Sequence, residues 1–203
     1  MSKKPIIVFE GIEGTGKSHH INNVAKYLKK NNKRFIRIRE PGGSKNSEKI
    51  RKLILNSKSL FNKNTDLLLY LAARSENIEL IKKNMGKKII LIDRFSDSTI
   101  AYQHYGMGIN LKFITNINDH LLKDINIDFT FLNIVNQKNM KKRLMNRKNL
   151  NRYDKFSSNF YEKVQKGFLK ILKKNPKNYI KINSNLEINY NEKIILNKID
   201  DLI

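Results

Sequence analysis

The chain has 203 residues, of which 39% are hydrophobic and 29% charged, with no cysteine and a formal net charge of +23. That balance fits one globular domain with its own core. It excludes disulfide frameworks, thiolate zinc sites and cysteine nucleophiles, and no apolar run approaches the roughly 18–20 residues of a membrane span.

Residues 4–10 (KPIIVFE) form a short apolar run suited to a buried parallel strand. The opening residues show no small-residue cleavage site, so we expect no secretory signal and a cytoplasmic location. A glycine-rich turn follows, then a helix to about residue 30. Residues 34–39 (RFIRIR) alternate like a strand, a Pro-Gly-Gly turn covers 41–43, and a helix is expected near 47–57. Residues 64–85 read as a long helix whose Leu67, Leu68, Leu71, Ile78, Leu80 and Ile81 give a broad apolar face, ended by Gly86. Residues 88–92 (KIILI) are the next buried strand. Segments 97–105 and 111–122 look helical, 128–133 (DFTFLN) is a strand, and 137–146 and 160–174 are helices around a polar gap at 147–154 (RKNLNRYD). A fifth strand at 179–183 (YIKIN) and a closing helix at 191–202 complete the chain. Five strands alternating with helices predict an α/β domain spanning residues 1–203, with a five-stranded parallel sheet covered on both faces. The polar gap, about residues 147–155, is the candidate for a mobile lid.

The motif that carries chemistry is Gly11-Ile12-Glu13-Gly14-Thr15-Gly16-Lys17-Ser18, a full G-x-x-x-x-G-K-[ST] phosphate-binding loop. It follows a buried strand and opens a helix, as the motif requires. Glycines let the backbone wrap a phosphate with its N–H groups inward, and the helix N-terminus adds partial positive charge. Lys17 reaches the β- and γ-phosphates of a nucleotide, and the Ser18 hydroxyl can ligate Mg²⁺. Asp93 ends the strand at 88–92, where the metal-holding carboxylate of such proteins sits. Arg94 then lies at the carboxyl edge of the sheet, where a guanidinium suits a substrate phosphate.

Other classes fit less well. Asn197-Lys198-Ile199-Asp200 matches the guanine-reading N-K-x-D pattern, but it lies inside an apolar-periodic helix and no D-x-x-G element follows the third strand. The +23 charge admits a nucleic-acid-binding P-loop protein, with salt-sensitive polynucleotide binding as its mark. Codon bias accounts for the charge more simply. The chain holds 32 Lys but 9 Arg, with 28 Asn and 28 Ile, all three abundant types come from AT-rich codons, and the lysines are scattered. We therefore expect no specific nucleic-acid partner and no membrane contact. The histidines lack ligand spacing: His19 and His20 are adjacent, and His104 and His120 stand far away.

Over roughly residues 5–183 the sequence resembles the thymidylate kinases. The markers beyond the P-loop are Arg39-Glu40-Pro41-Gly42-Gly43, Leu68-Leu69-Tyr70-Leu71-Ala72-Ala73-Arg74, Asp93-Arg94-Phe95 followed by Ser98 and Ala101-Tyr102-Gln103, and Arg147 with Arg152-Tyr153-Asp154. The resemblance implies a P-loop nucleoside monophosphate kinase fold with a short lid. It implies transfer of the γ-phosphoryl of ATP to dTMP, giving dTDP for dTTP synthesis, with Mg²⁺ held near Ser18 and Asp93. By matched position, Tyr70 stacks on thymine, Arg74 and Gln103 hydrogen-bond the base, and Arg51 and Arg94 contact the monophosphate. Ser98 belongs to the same acceptor motif, Tyr102 crowds the sugar and favours deoxyribose, and Glu40 lines the acceptor site. Glu13 and the lid arginines Arg147 and Arg152 mark the bacterial type, whose catalytic arginine sits in the lid; Arg152 is the first choice and Arg147 the alternative. A homodimer through the long apolar helices is also implied. Departures are His19-His20 where small or hydroxyl residues are commoner, Tyr70 for Phe, and Asp154 for Glu. A kinase for another nucleoside monophosphate is the nearest alternative, and Tyr70, Arg74 and Gln103, which suit a pyrimidine carbonyl edge, argue against it.

Overall fold

A computed structural model describes residues 4–147 and 150–203. Residues 148 and 149 of the predicted lid lie outside the described residues. The sheet has five strands: β1 (Ile6–Glu10), β2 (Phe35–Arg39), β3 (Ile89–Asp93), β4 (Phe129–Ile134) and β5 (Tyr179–Asn183). Their spatial order is β2-β3-β1-β4-β5 and every pairing is parallel. β1 is central and wholly buried, which is why it reads as a continuous apolar run.

Period-two geometry splits β1 between two cores. Ile7 and Phe9 point towards α1 (Lys17–Lys30) and α8 (Ile188–Leu202), meeting Ile21, Val24, Leu28, Ile195 and Ile199. Ile6 and Val8 point the other way, towards Ile78 and Ile81 of α3 (Lys63–Asn84) and towards Phe95 and Ile125. Phe9 and Phe131 stack at 5.0 Å with no exposed surface. Burial of side chains of this size stabilises by about 1.5–3 kcal/mol each.

α2 (Lys45–Leu55) packs against α3, and α7 (Ser158–Lys174) packs against a helix in two parts. The first part, α4 (Ser96–Thr99), continues into a π-helical stretch at Ile100–Gly106, where the sequence predicts one ordinary helix. Gly167 lets α7 approach this stretch, since a Cβ there would stand 2.5 Å from the Tyr105 ring. α5 (Leu111–Leu122) matches its predicted limits, and α6 (Gln137–Met145) precedes the lid segment, which contains a 3₁₀ turn at Tyr153–Lys155.

The other predicted elements are present with ends moved by a few residues. α7 starts earlier than the apolar pattern suggests because the Ser157 hydroxyl accepts the Phe160 N–H at 3.2 Å and caps it. The N-K-x-D tetrad lies within α8, with Ile199 buried and Asn197 and Asp200 exposed. Among the described residues, no helix is long and apolar enough to cross a membrane.

Candidate active site

A cavity of about 430 Å³ opens at the carboxyl edge of the sheet. One wall is the loop between β1 and α1. Gly11 starts it at φ 135°, and a Cβ there would stand 2.1 Å from the Asn133 carbonyl oxygen, so only glycine lets the chain turn against β4. Lys17 folds into the loop and donates to the Gly11 and Ile12 carbonyls, both at 2.8 Å, and to Thr15 Oγ1 at 3.3 Å. Burial, with repulsion from Arg94, lowers its pKa to about 7 against the pull of Asp93, Glu13 and Glu10. Ser18 Oγ donates to Asp93 Oδ2 at 3.4 Å. This hydroxyl and carboxylate are hard oxygen donors at the mouth of a phosphate loop. Mg²⁺ takes such a set, with few protein ligands and the rest from phosphate and water. Among the described residues no group of three or more His, Cys, Asp or Glu could form an all-protein metal cage.

Arg94 joins this wall to the next. Its backbone sits at φ 66°, a left-handed conformation that costs a non-glycine residue about 1–3 kcal/mol. Its Nη1 donates to the Gly11 carbonyl at 2.8 Å and to Ser98 Oγ at 3.4 Å, and its Nη2 to Glu13 Oε1 at 2.8 Å. The guanidinium lies 5.2 Å from the centre of the Tyr102 ring, and the Tyr102 hydroxyl donates to Glu13 Oε2. Burial works against both charges of this pair. The Arg94 cation is nevertheless favoured well above its ordinary range by Tyr102, Glu13, Asp93 and Glu10, and Arg94 and Lys17 hold the Glu13 carboxyl below its own.

The far wall carries Arg39, Glu40, Pro41, Arg51, Tyr70 and Gln103. Arg51 Nη1 donates to the Pro41 carbonyl at 2.6 Å. The Tyr70 ring meets the Tyr153 ring edge-on at 5.8 Å, and burial raises its hydroxyl pKa to about 12. Gln103 Nε2 donates to Asp66 Oδ2 and to the Tyr153 hydroxyl, each at 3.2 Å. Arg74 is 1% exposed and does not line the cavity. It donates to Glu40 Oε2 through Nε at 2.9 Å and Nη2 at 2.7 Å, and to Asn118 Oδ1 through Nη1 at 2.7 Å.

The two lid arginines part company. Arg147 lines the cavity and pairs with Asp154 at 2.6 Å. Arg152 turns away from it, pairing with buried Asp66 and donating through Nε to the Ile54 carbonyl at 3.1 Å. Four polar lining residues are not among those the sequence points to. Arg39 and Tyr153 stand inside motifs without a role of their own, Asn151 gives no signal, and Arg143 is one basic residue among lysines. Arg143 spans from Gly14, whose carbonyl it meets at 2.8 Å, to the Ser184 carbonyl at 2.7 Å. Arginine scarcity is the usable signal: five of the nine arginines line this one cavity.

The cavity thus joins a phosphate loop to a second, arginine-rich wall. A family model described as thymidylate kinase matches residues 9–195. The chain belongs to the thymidylate kinase family. Curated relatives agree: the thymidylate kinase of Thermosipho africanus is 40% identical over 169 residues, covering 82% of this chain and 84% of the relative. That of Mycoplasma capricolum is 37% identical over 207 residues, covering 96% of each. In three dimensions the chain is similar to the crystal structure of thymidylate kinase from Ehrlichia chaffeensis, with a TM-score of 0.78, 32% identity, and coverage of 97% of this chain and 99% of that one. The architecture is that of the nucleoside monophosphate kinases, and family membership makes the chain a phosphotransferase. The matched span contains every residue singled out as a site residue and ends before the N-K-x-D tetrad at 197–200.

Proposed function

We propose that the chain transfers the γ-phosphoryl group of ATP to dTMP, giving dTDP for dTTP synthesis. The observation that carries this reading is one cavity in which the phosphate loop faces Arg51, Arg94 and Tyr70. One nucleotide has its phosphates in the loop, and a second presents its phosphate to the arginines. The acceptor is already an anion near neutral pH, so no general base is needed. The task is to bring two anions together and to spread the charge on the transferred group.

Lys17 and the loop amides cradle the donor's β- and γ-phosphates, and Lys17 leaves the carbonyls of Gly11 and Ile12 to do so. Arg94 and Arg51 hold the acceptor phosphate, with Arg39 adding charge at the rim. Tyr70 stacks on the base, Gln103 reaches its edge, and Arg74 braces Glu40 beneath. Ser98 supports Arg94, and Tyr102 limits the space at the sugar. Ser18 and Asp93 would hold Mg²⁺, which neutralises phosphate charge when bound. Arg147 is the lid arginine directed at the transferred group, and Arg152 fastens the lid to α3 through Asp66. The closed lid excludes water that would otherwise hydrolyse ATP. The enzyme works in the cytoplasm as a homodimer joined through α3 and α5, where Leu68 and Phe113 are about half exposed.

A coupled assay offering ATP-Mg with each common nucleoside monophosphate in turn tests the proposal. Turnover is expected with dTMP far above the ribonucleotides, and Lys17→Ala should lower kcat/KM by at least about a hundredfold. Equal turnover with another monophosphate would overturn the substrate, and nucleic-acid-stimulated ATP hydrolysis without dTMP phosphorylation would overturn the reaction class.

A further inference from the structure

α4 begins without a capping side chain of its own, because its N-cap residue is Phe95. Its leading amides are taken by a carboxylate from the centre of the sheet. Glu10, the last residue of β1, has no exposed surface. Its Oε1 accepts the Phe95 N–H at 2.8 Å and the Ser98 N–H at 3.2 Å, and its Oε2 accepts the Ser98 hydroxyl at 2.5 Å. The neighbouring Phe9 carbonyl accepts the Arg94 N–H at 3.0 Å. The end of β1 therefore grips the turn that carries Arg94 from both sides of that residue.

The polarity of this grip matters. Three donors converge on Glu10, which suits the ionised carboxylate. Ser98 gives its hydrogen to Glu10 and keeps its lone pairs for Arg94 Nη1 at 3.4 Å. Arg94 itself stands at φ 66°, which a non-glycine residue holds only when its surroundings impose it. A buried carboxylate is costly unless fully hydrogen-bonded, and here its bonds are spent on the turn that presents the acceptor-side arginine.

We infer that Glu10 is a positioning residue for phosphoryl transfer: it fixes the Arg94–Ser98 turn so that the Arg94 guanidinium is presented to the acceptor phosphate. The inference rests on the proposed reading in which Arg94 holds that phosphate. The charged and titratable groups around Glu10 are Asp97 and Arg94 in the same turn, Lys17 of α1 and Tyr179 of β5. Burial, reinforced by Asp97, raises the Glu10 carboxyl to about 7, so its ionisation falls within an assayable range.

Glu10→Gln keeps the size of the side chain but turns Oε2 into an N–H donor facing the Ser98 hydroxyl. Steady-state constants for dTMP and ATP are measured in wild type, Glu10→Gln, Arg94→Ala and the double variant. Glu10→Gln should raise KM for dTMP about tenfold, leave KM for ATP within about twofold, and cost nothing further once Arg94 is absent. The ratio of wild-type to Glu10→Gln kcat/KM should widen from about pH 6 to pH 8, because only the ionised carboxylate outperforms the amide. An unchanged KM for dTMP, equal shifts for both substrates, or a full-sized loss in the Arg94→Ala background would each overturn the inference. If Glu10→Gln melts below the assay temperature, Ser98→Ala, which removes the hydroxyl between Glu10 and Arg94, takes its place in the kinetic comparison at a single pH, with the same changes in KM expected and the same results overturning the inference. A wild-type enzyme inert towards dTMP, or an Arg94→Ala variant with wild-type kinetics, would instead overturn the functional reading beneath it.

Discussion

Replacing Arg74 by methionine removes the cation from the most enclosed ion pair among the described residues, whose two side chains are 1% and 3% exposed. Methionine refills most of the volume, so the effect isolates lost charge and hydrogen bonds rather than a cavity. Glu40 loses both donors on Oε2 and keeps only Asn77 Nδ2 at 3.5 Å from Oε1. Asn118 loses the donor to its Oδ1, and its Nδ2 makes no hydrogen bond within the chain. Removing one member of a buried pair costs about 3–5 kcal/mol. At about 2–4 °C per kcal/mol for a chain of this size, Tm should fall by about 6–20 °C. The pH dependence has a definite sign. Burial already raises the Glu40 carboxyl above 4.5, with Arg74 pulling it back, and without Arg74 it rises further. The folded variant then retains a proton that the unfolded chain releases, so its deficit widens as pH rises above about 4.5 and narrows towards acid. Circular-dichroism melts at about pH 5, 6.5 and 8, on wild type, Arg74→Met, Glu40→Gln and the double variant, check this. The double variant should lose less than the sum of the singles. A Tm change under about 3 °C near pH 8, or a deficit larger at pH 5 than at pH 8, would refute the reasoning.

The lid arginines should separate in kcat: Arg147→Ala lowers it at least about tenfold and Arg152→Ala lowers it less, while both lower Tm, since each strands a carboxylate with almost no exposed side-chain surface, Asp154 and Asp66. A larger kcat loss in Arg152→Ala would exchange the two roles. Gly11→Ala drives a Cβ onto the Asn133 carbonyl and should cost at least about 4 kcal/mol; soluble protein melting within a few degrees of wild type would contradict this. Lysine substitutions should divide the arginines: Arg34→Lys and Arg37→Lys, on exposed positions, leave kcat/KM within about twofold, while Arg51→Lys and Arg94→Lys lower it at least about tenfold. Equal effects in steady-state kinetics would remove the distinction.

The sheet is legible at its centre because β1, β3 and β4 are buried along nearly their whole length, whereas the edge strands β2 and β5 are largely half-exposed. β1 and β3 read as apolar runs of the length a parallel sheet needs, β2 reads by alternation, and the β1-loop-α1 unit is contiguous in sequence. The π-helical turn was not legible: over seven residues, the apolar pattern of IAYQHYG satisfies an ordinary helix equally well. The cluster around Asp66 was hidden for a different reason. At the first turn of α3, an aspartate reads as favourable charge near a helix N-terminus. In the fold it is 1% exposed and gathers Gln103, Arg152 and Tyr153 from 37, 86 and 87 residues away. Local periodicity cannot register partners at that separation. Arg74 shows the same limit, since its motif placed it near the base while its hydrogen bonds commit it to Glu40 and Asn118.

The composition that blurs the site through its charge outlines it through its arginines. Lysine outnumbers arginine 32 to 9, the proportion that AT-rich codons would favour. A guanidinium offers a planar fork with fixed donor directions, which a lysine ammonium cannot reproduce. Arg39, Arg51, Arg94, Arg143 and Arg147 line the cavity, and Arg74 and Arg152 each hold a buried carboxylate beside it. Only Arg34 and Arg37 stand outside this arrangement, at exposed positions. In a chain so rich in lysine the rarer of two like-charged residues carries the geometric information, so counting arginines locates the phosphate-handling surface more sharply than summing charge does.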